Sequence, residues 1–291
     1  MMVFSPERDC MVCGMVEGCP FANLVGTDDE GEFKDKPRLI ITNLRFVENV
    51  RKDRVALATL DERFLGVVEE KAPVFVEYLV EGAVFEFEVI LMGEGVRFAD
   101  HFENAVETSL RFFGWGGFCN EGFGRGEINS VERIESFELF DHKKIEPRAE
   151  KIRKAILENE KLTFEISPLL IVDKDGGDVY RSVFEDGFRE KFCNCVGERF
   201  WQFYNVKVYP QNFVEGFSGR ARTMKILGWS RRFRCKGKLP FEGLGGELTF
   251  HFRELEKLDF EVTKALALMK YGVGRFKNQG FGSLGAKLNG V

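Results

Sequence analysis

One eleven-residue segment occurs twice in this chain. Residues 114–124 read GWGGFCNEGFG and residues 272–282 read GVGRFKNQGFG, so the copies align without a gap and share seven of eleven residues. Both follow the pattern G-φ-G-x5-G-φ-G, in which φ is an apolar residue. Glycine at these positions indicates loops with positive backbone φ angles or close approach between backbone segments. Two matching copies this far apart in the chain indicate an internal duplication rather than two ordinary turns.

The segments around each copy repeat one order of elements. An alternation of apolar and polar residues precedes each loop and predicts a strand. Between this strand and the loop, apolar residues recur at helical spacing and predict a helix. The predicted elements of the two halves are strands at 82–93 and 246–255, helices at 98–113 and 260–271, and short strands after the loops at 127–139 and 283–291. Each half therefore ends strand–helix–glycine loop–strand, which is the back half of a split βαβ unit of the ferredoxin type.

These patterns predict an α+β protein of two domains, residues 1–145 and 146–291. A length of 291 residues suits two domains of ordinary size. The boundary is expected in the charged linker 141–162, and the second half is expected to open on a strand at 161–171.

Composition limits the class of protein. With 44% hydrophobic and 31% charged residues, and with 31 Phe as core material, the chain is globular. No apolar run is long enough to cross a membrane and the first residues do not resemble a secretory signal, so we expect a soluble, cytoplasmic protein without a membrane partner. The net charge of −5 argues against a nucleic-acid binder with positive charge over its whole surface, but allows a local basic patch.

Such a patch is present at residues 219–239, which contain eight Lys and Arg and no acidic residue. Trp229 and Phe233 lie among these cations. Cations that neutralise phosphates beside rings that stack on bases are typical of contacts with single-stranded RNA. The alternative is a solvated pair of strands with basic outer residues. We predict the main phosphate track at Arg231, Arg232, Arg234, Lys236 and Lys238.

The two glycine loops differ in charge. The second copy carries Arg275 and Lys277, where the first has Gly117 and Cys119. We therefore predict that the second loop lies at a surface and contacts RNA, and that the first serves packing, with Gly122 in a tight turn under the core. The predicted RNA-contacting residues of the second loop are Gly272, Gly274, Arg275, Lys277, Gly280 and Gly282.

The glycine pattern resembles the signature loop of the RAMP superfamily, the RNA-binding proteins of CRISPR systems. The stretches CPFANLVG (19–26), PRLIIT (37–42) and RRFRCKGKLPFEGLGGEL (231–248) are similar to the family that processes precursor CRISPR RNA. The resemblance implies two tandem ferredoxin-like (RRM-like) βαββαβ domains. It also implies a metal-independent endoribonuclease in which the ribose 2′-OH attacks the adjacent phosphate and leaves a 2′,3′-cyclic phosphate.

The resemblance leaves the catalytic residues unassigned. Many members place a catalytic His early in the chain, whereas the three histidines here are His101, His142 and His251. His101 and His251 are the weak candidates, and His142 is expected to be solvated in the charged linker. Catalysis by Lys and Arg alone is one alternative. Another is a non-catalytic crRNA-binding subunit of a CRISPR effector complex, and a third is a protein-interaction module whose glycine loops only turn the chain.

The cysteines allow two interpretations. Cys10, Cys13 and Cys19 form a C-x2-C-x5-C pattern, which can hold zinc if a distant residue such as Cys193, Cys195 or Cys235 supplies the fourth ligand. There is no second C-x2-C, so reduced thiols are the favoured interpretation, and no cofactor is expected.

Overall fold

The computed structural model describes residues 19–25, 38–48, 50–57, 74–117, 119, 122–175, 178–226 and 241–288. Within these ranges the chain is an α+β protein whose strands pair only in antiparallel fashion. The helices are α1 (Pro20–Val25), α2 (Ala99–Thr108), α3 (Phe137–Phe140), α4 (Glu146–Asn159), α5 (Phe188–Tyr204) and α6 (Phe260–Leu268). The strands are β1 (Leu39–Ile41), β2 (Arg45–Glu48), β3 (Lys52–Leu57), β4 (Val74–Leu79), β5 (Val84–Glu86), β6 (Val89–Leu91), β7 (Lys161–Leu170), β8 (Val214–Gly219), β9 (Arg222–Ile226), β10 (Phe241–Phe252) and β11 (Ser283–Ala286).

The chain packs into two compact units. The larger unit comprises 1–43, 89–96 and 132–291, and the smaller comprises 44–88 and 97–131. The division into residues 1–145 and 146–291 follows the repeat rather than the packing, and it stays a prediction.

The larger unit is built on one antiparallel sheet. Its strands lie in the order β11-β7-β10-β8, and β9 pairs with the first part of β10. In chain order the elements are β7, α5, β8, β9, β10, α6 and β11. The short ladder of β1 and β6 belongs to the same unit.

An alternation of apolar and polar residues explains why β7 and β10 form the central strands of the sheet. In β7 the side chains of Leu162, Phe164 and Ile166 are buried, while the residues between them are not. Leu248, Phe250 and Phe252 of β10 are buried in the same way. A period of two places these side chains on one face, which packs on the core. The strands predicted at 161–171 and 246–255 are therefore confirmed, although β10 begins earlier, at Phe241.

Phenylalanine fills the core, as its abundance predicted. Phe188 and Phe192 of α5 stack with ring centroids 5.7 Å apart, and Phe192 contacts Phe217 and Phe250 of the sheet. Helix α6 is buried at every position from 262 to 268. A helix buried on all sides has no polar face, which is why its sequence showed only weak periodicity.

The charged segment 141–162 is not a linker. Helix α3, the π-helical turn Asp141–Ile145 and helix α4 follow one another without a break. The side chains of Ile145, Ala149, Ile152 and Ile156 are fully buried in the core of the larger unit. These apolar residues recur every three or four positions among the charges, and this helical spacing decides the structure.

Two further strand predictions in the first half are wrong. The single strand predicted at 82–93 is two strands, because β5 pairs with β2 and β6 pairs with β1. The run 127–139 forms no strand, and its end begins α3, where the Ser136 hydroxyl accepts a hydrogen bond from the Leu139 amide at 3.1 Å. This N-cap favours a helix. In the second half, β11 confirms the strand predicted after the loop.

The described residues of the smaller unit form two ladders and one α-helix. Strand β2 pairs with β5 and β3 pairs with β4, while α2 continues into a π-helical turn, Ser109–Phe113. In the described part of the chain, no helix is long and apolar enough to cross a lipid bilayer.

Replacement of Ile156 by Ala tests whether the charged segment belongs to the core. Ile156 is fully buried, whereas its neighbour Leu157 is 48% exposed on the same helix. We expect Ile156→Ala to lower the free energy of unfolding by about 2–5 kcal/mol, since it removes buried methyl groups and leaves a cavity. Leu157→Ala is the matched control and should change it by less than about 1 kcal/mol. Urea unfolding measures both, and equal losses would contradict the buried position of α4.

Candidate nucleic-acid interface

The second glycine loop, residues 272–282, closes by direct contact between its two ends. The Val273 amide donates a hydrogen bond to the Gly282 carbonyl at 2.9 Å. A Cβ atom on Gly282 would lie 2.0 Å from the Val273 carbonyl oxygen, and one on Gly272 would lie 2.6 Å from that of Phe281. No side chain fits in these places, so glycine is required for the two ends to meet.

The first glycine loop, residues 114–124, closes in the same way. The Trp115 amide donates to the Gly124 carbonyl at 2.8 Å. A Cβ on Gly124 would lie 2.0 Å from the Trp115 carbonyl oxygen, and one on Gly114 would lie 2.5 Å from that of Phe123. The pattern glycines of both copies all have positive φ angles. The duplication inferred from the sequence is thus visible as one backbone arrangement present twice.

The surroundings of the two loops differ. A Cβ on Gly274 would lie 2.2 Å from the Ile171 carbonyl oxygen, just beyond β7. At the equivalent position of the first loop, Gly116, no described atom lies within 4 Å of such a Cβ. The second loop is therefore packed on the end of a sheet strand at a position where the first loop is open.

The expected positions of Gly280 at a surface and of Gly122 under the core are wrong, although Gly122 does lie in a tight turn, in which its amide donates to the Cys119 carbonyl at 3.0 Å. Gly280 is buried, and a Cβ there would lie 2.6 Å from Asn43 Oδ1. Asn43 is itself held on β7, since its Nδ2 donates to the Ser167 carbonyl at 3.2 Å. Gly122 is exposed, and no described atom lies within 4 Å of a Cβ placed there. The repeated sequence sets the loop backbone alone, and neighbouring elements decide which copy is buried.

The amide groups of the second loop are largely used within the protein. Arg275 donates to the Ile171 carbonyl at 2.8 Å, and Gly282 donates to that of Leu169 at 2.8 Å. The amides of Gly272, Val273 and Phe281 also donate to backbone carbonyls. These N–H groups cannot hold an anion at the same time. Contact of RNA with Gly272, Gly274, Gly280 and Gly282 stays a prediction, but their structural purpose is close backbone packing.

The two cations of the second loop differ in exposure. The Arg275 side chain is 50% exposed, lies over the ring of Phe276, and reaches Asp173 at 3.6 Å. That distance is longer than the roughly 2.7–2.9 Å of a strong charge-assisted hydrogen bond. Lys277 is largely buried, and its Nζ lies 4.0 Å from Glu198. Arg275 is thus the more accessible of the two to a phosphate.

The predicted phosphate track lies outside the described residues, at Arg231, Arg232, Arg234, Lys236 and Lys238. The strands on either side of it are described. Ile226 of β9 pairs with Phe241 of β10, so residues 227–240 connect the paired ends of a hairpin. Lys225 on β9 is exposed and lies 3.8 Å from Glu242. Whether the track contacts RNA stays a prediction.

Sequence reasoning missed a buried arginine beneath the second loop. Arg199 of α5 has no exposed surface, and its guanidinium donates to the Tyr271 carbonyl and, at 3.1 Å, to Asn278 Oδ1. Tyr271 ends the short 3-10 turn that follows α6, where the helix dipole is negative and favours a cation. Burial lowers the pKa of Arg199 to about 9. An arginine on the apolar face of α5, next to Phe200, was the signal that could have revealed it.

The three histidines lie in different surroundings. His251 is half-buried, and its Nε2 lies 2.6 Å from the Ser218 hydroxyl on the polar side of the sheet. As predicted, the His251 side chain lies on the face of the sheet opposite to Phe250 and Phe252. His101 is exposed on α2, with its ring 6.0 Å from that of Phe98. His142 is solvated as expected, but it lies in a helical segment and contacts Glu146.

Two of the described cysteines, Cys193 and Cys195, lie on α5. Cys193 is buried in the core, and burial raises the pKa of its thiol to about 12. Burial likewise raises the pKa of Cys195 to about 11. The described residues contain no group of three or more His, Cys, Asp or Glu that could hold a metal ion. Cys10, Cys13 and Cys235 lie outside them, so the zinc hypothesis is untested there.

Comparison with known proteins gives structural matches only. No family model matches this chain, and no curated protein matches its sequence. A structure described as the Cas6 (TTHA0078) product complex is 12% identical, with 89% of this chain and 84% of that chain covered and a TM-score of 0.42. A structure of a Cas6-related gene from Pyrococcus furiosus is 10% identical, with 87% and 79% covered and a TM-score of 0.41. Thermus thermophilus Cas6 (TTHB231) is 15% identical, with 71% and 76% covered and a TM-score of 0.36.

The titles of all three structures name Cas6 or a Cas6-related gene.

Alanine at equivalent positions of the two loops tests their different packing. Gly274 and Gly116 both have positive φ angles, so each substitution should cost about 1–2 kcal/mol in backbone strain. Gly274→Ala also forces a contact with the Ile171 carbonyl, whereas Gly116→Ala enters open space. We expect Gly274→Ala to lower the free energy of unfolding by more than about 3 kcal/mol. Gly116→Ala should lower it only by the backbone strain of about 1–2 kcal/mol. Urea unfolding of both variants would overturn this assignment if Gly116→Ala proved the more damaging.

Proposed function

We propose that this chain is a CRISPR-associated RNA-binding protein and a metal-independent endoribonuclease that cleaves CRISPR repeat RNA. The observation that carries the proposal is the G-φ-G-x5-G-φ-G loop, which occurs twice with one backbone arrangement and carries Arg275 and Lys277 only in the second copy. A loop of this kind typifies the RNA-binding superfamily that the sequence resembles. The same proposal includes assembly with other CRISPR proteins.

The proposal includes a fold of two tandem ferredoxin-like domains. The larger unit supports the second of them, because β7, α5, β8, β10, α6 and β11 follow one another as β-α-β-β-α-β. Counting its four main strands in chain order, the sheet order is 4-1-3-2. This is the arrangement of a split βαβ fold. The repeated glycine loop supports a related first domain.

RNA binding is assigned to the basic patch 219–239 and to the second loop. Arg231, Arg232, Arg234, Lys236 and Lys238 supply the phosphate track, and Arg275 and Lys277 extend it at the loop. In the chain, the track falls between β9 and β10, which pair with each other. Arg222 and Lys225 on β9 are exposed and add positive charge on the strand that precedes the track.

Cleavage by this route needs three groups and no metal ion. A base takes the proton of the attacking 2′-OH, a cation stabilises the charge that develops on the phosphorane, and a proton reaches the leaving 5′ oxygen. The product is an RNA end with a 2′,3′-cyclic phosphate and a fragment with a 5′-OH.

Incubation of the protein with labelled CRISPR repeat RNA in EDTA tests this function. We expect one discrete cut whose upstream fragment ends in a cyclic phosphate, because the 2′-OH is the nucleophile. A matched RNA with a single 2′-deoxy nucleotide at the mapped cut should bind equally well and remain intact. RNA that is bound but never cut would support the non-catalytic crRNA-binding subunit instead, and RNA that is not bound would support the protein-interaction module.

Charge reversal within the basic patch tests the phosphate track. We expect Arg232→Glu with Arg234→Glu to abolish tight RNA binding at physiological salt. Each lost phosphate contact should also reduce the slope of log affinity against log salt by about 0.7. The control is Lys154→Glu with Lys257→Glu, which makes the same charge change at lysines whose side chains are 78% and 77% exposed. If both double variants weaken binding equally, the effect is one of net charge and the track is wrong.

A further inference from the structure

A connected series of polar side chains runs from the interior of the larger unit to its surface. Lys264 of α6 lies at the centre, and its Nζ is 2.7 Å from Asp141 Oδ2 and 3.4 Å from Glu146 Oε1. The Tyr204 hydroxyl at the end of α5 donates to the other oxygen of Asp141. Glu146 Oε2 in turn lies 3.2 Å from His142 Nδ1. Helices α5 and α6 and the segment 141–146 thus contribute side chains to one series, which ends at His142.

The inner part of this series has fixed charges. The Lys264 side chain is only 8% exposed and that of Asp141 is 15% exposed. Burial alone would lower the pKa of Lys264, but its hydrogen bond with Asp141 and the charges of Asp141 and Glu261 outweigh burial and raise it. The pKa of Glu146 is lowered by its hydrogen bond with His142 and by Lys264. Lys264 is therefore protonated and Glu146 ionised at neutral pH.

The outer end presents one ring nitrogen to solvent. The His142 side chain is 81% exposed. A carboxylate only accepts hydrogen bonds, so the nitrogen that contacts Glu146, Nδ1, carries the hydrogen, and Nε2 of the neutral ring holds the lone pair. An imidazole oriented by a carboxylate through Nδ1, with Nε2 available, is the arrangement of a general base.

Phe140, which is near this histidine in the chain, packs on the residue that precedes the second glycine loop. Phe140, two residues before His142, has its ring centroid 5.6 Å from that of Tyr271, the residue before Gly272. Lys143 and Lys144 follow His142 in the chain. The dyad of His142 and Glu146 thus belongs to the same unit as the loop and is next to two cations that can attract a phosphate.

The other two histidines lack this arrangement. His251 contacts the Ser218 hydroxyl, and His101 packs beside Phe98. Across the described ranges, neither has a carboxylate within ion-pair distance, whereas His142 has one.

We propose that His142 is the catalytic base of the cleavage reaction and that Glu146 is its positioning residue; this inference rests on the function proposed above. His142 Nε2 takes the proton from the ribose O2′. The O2′–P bond forms while the P–O5′ bond breaks, and its electron pair goes to O5′, which is protonated by water. His142 then returns its proton to solvent. Lys264 holds the Glu146 carboxylate in place throughout.

Single replacement of each histidine tests the assignment, because the chain contains only three. The rate of one turnover is measured in EDTA with labelled repeat RNA at a saturating protein concentration. We expect His142→Ala to lower this rate by about 100-fold or more, with unchanged RNA affinity and melting temperature. His101→Ala and His251→Ala are the matched controls and should cleave at rates close to wild type.

Two further measurements separate catalysis from structure. Added imidazole should restore cleavage to His142→Ala but not change either control, since free imidazole can replace a missing base in an exposed site. Glu146→Gln should lower the rate by about tenfold without weakening RNA binding, because it leaves His142 present but less well oriented.

The wild-type reaction distinguishes the two proposals. If wild-type protein cleaves and His142→Ala cleaves equally fast, the assignment of His142 is overturned while the endoribonuclease function stands. If wild-type protein binds the RNA and leaves it intact, the nuclease function is overturned and the assignment of His142 with it.

Discussion

The backbone contact between Val273 and Gly282 is the constraint on which the larger unit depends. It brings the two ends of the loop together at a distance that excludes any Cβ atom. Strand β11 begins at Ser283, directly after this contact, and pairs with the middle of β7. The Gly282 amide is bonded to Leu169 of that same strand. The loop therefore sets where β11 joins the sheet. Since β11 is the strand next to β7 at one edge, the loop also determines which strand forms that edge.

Arg199 fixes the same loop from below. Its guanidinium connects α5 to the carbonyl at the end of the turn after α6 and to Asn278 inside the loop. A buried cation is costly unless its hydrogen-bond donors are occupied. The described residues give it no carboxylate partner within ion-pair distance, so carbonyl and amide oxygens and the negative end of a helix balance its charge. Arg199 thus joins the loop to α5 by hydrogen bonds, and such support favours a defined position for Arg275.

Duplication and divergence are both visible in the loops. The contact that closes each loop is the same, because the glycines that permit it occur in both copies. The neighbours differ: Ile171 and Asn43 pack against the second loop, whereas no described residue packs against the equivalent glycines of the first. The different roles proposed for the two loops therefore depend on cations and packing partners outside the glycine pattern. The series that ends at His142 likewise draws on α5, α6 and the turn before α4, which lie far apart in sequence.

The sequence by itself determined the repeat, the glycine conformations, the alternating strands β7 and β10 and the phenylalanine core. Each of these depends on spacing or on backbone freedom that a residue brings with it. Only the tertiary structure decided that Ile152 of α4 lies in the core of the larger unit, that Gly280 is enclosed while Gly122 is exposed, and that Arg199 lies beneath the loop. It also decided that Lys264, Asp141 and Glu146 meet beside His142. Such outcomes depend on which distant segments pack together, and that is set by burial and pairing across the whole unit rather than by local pattern.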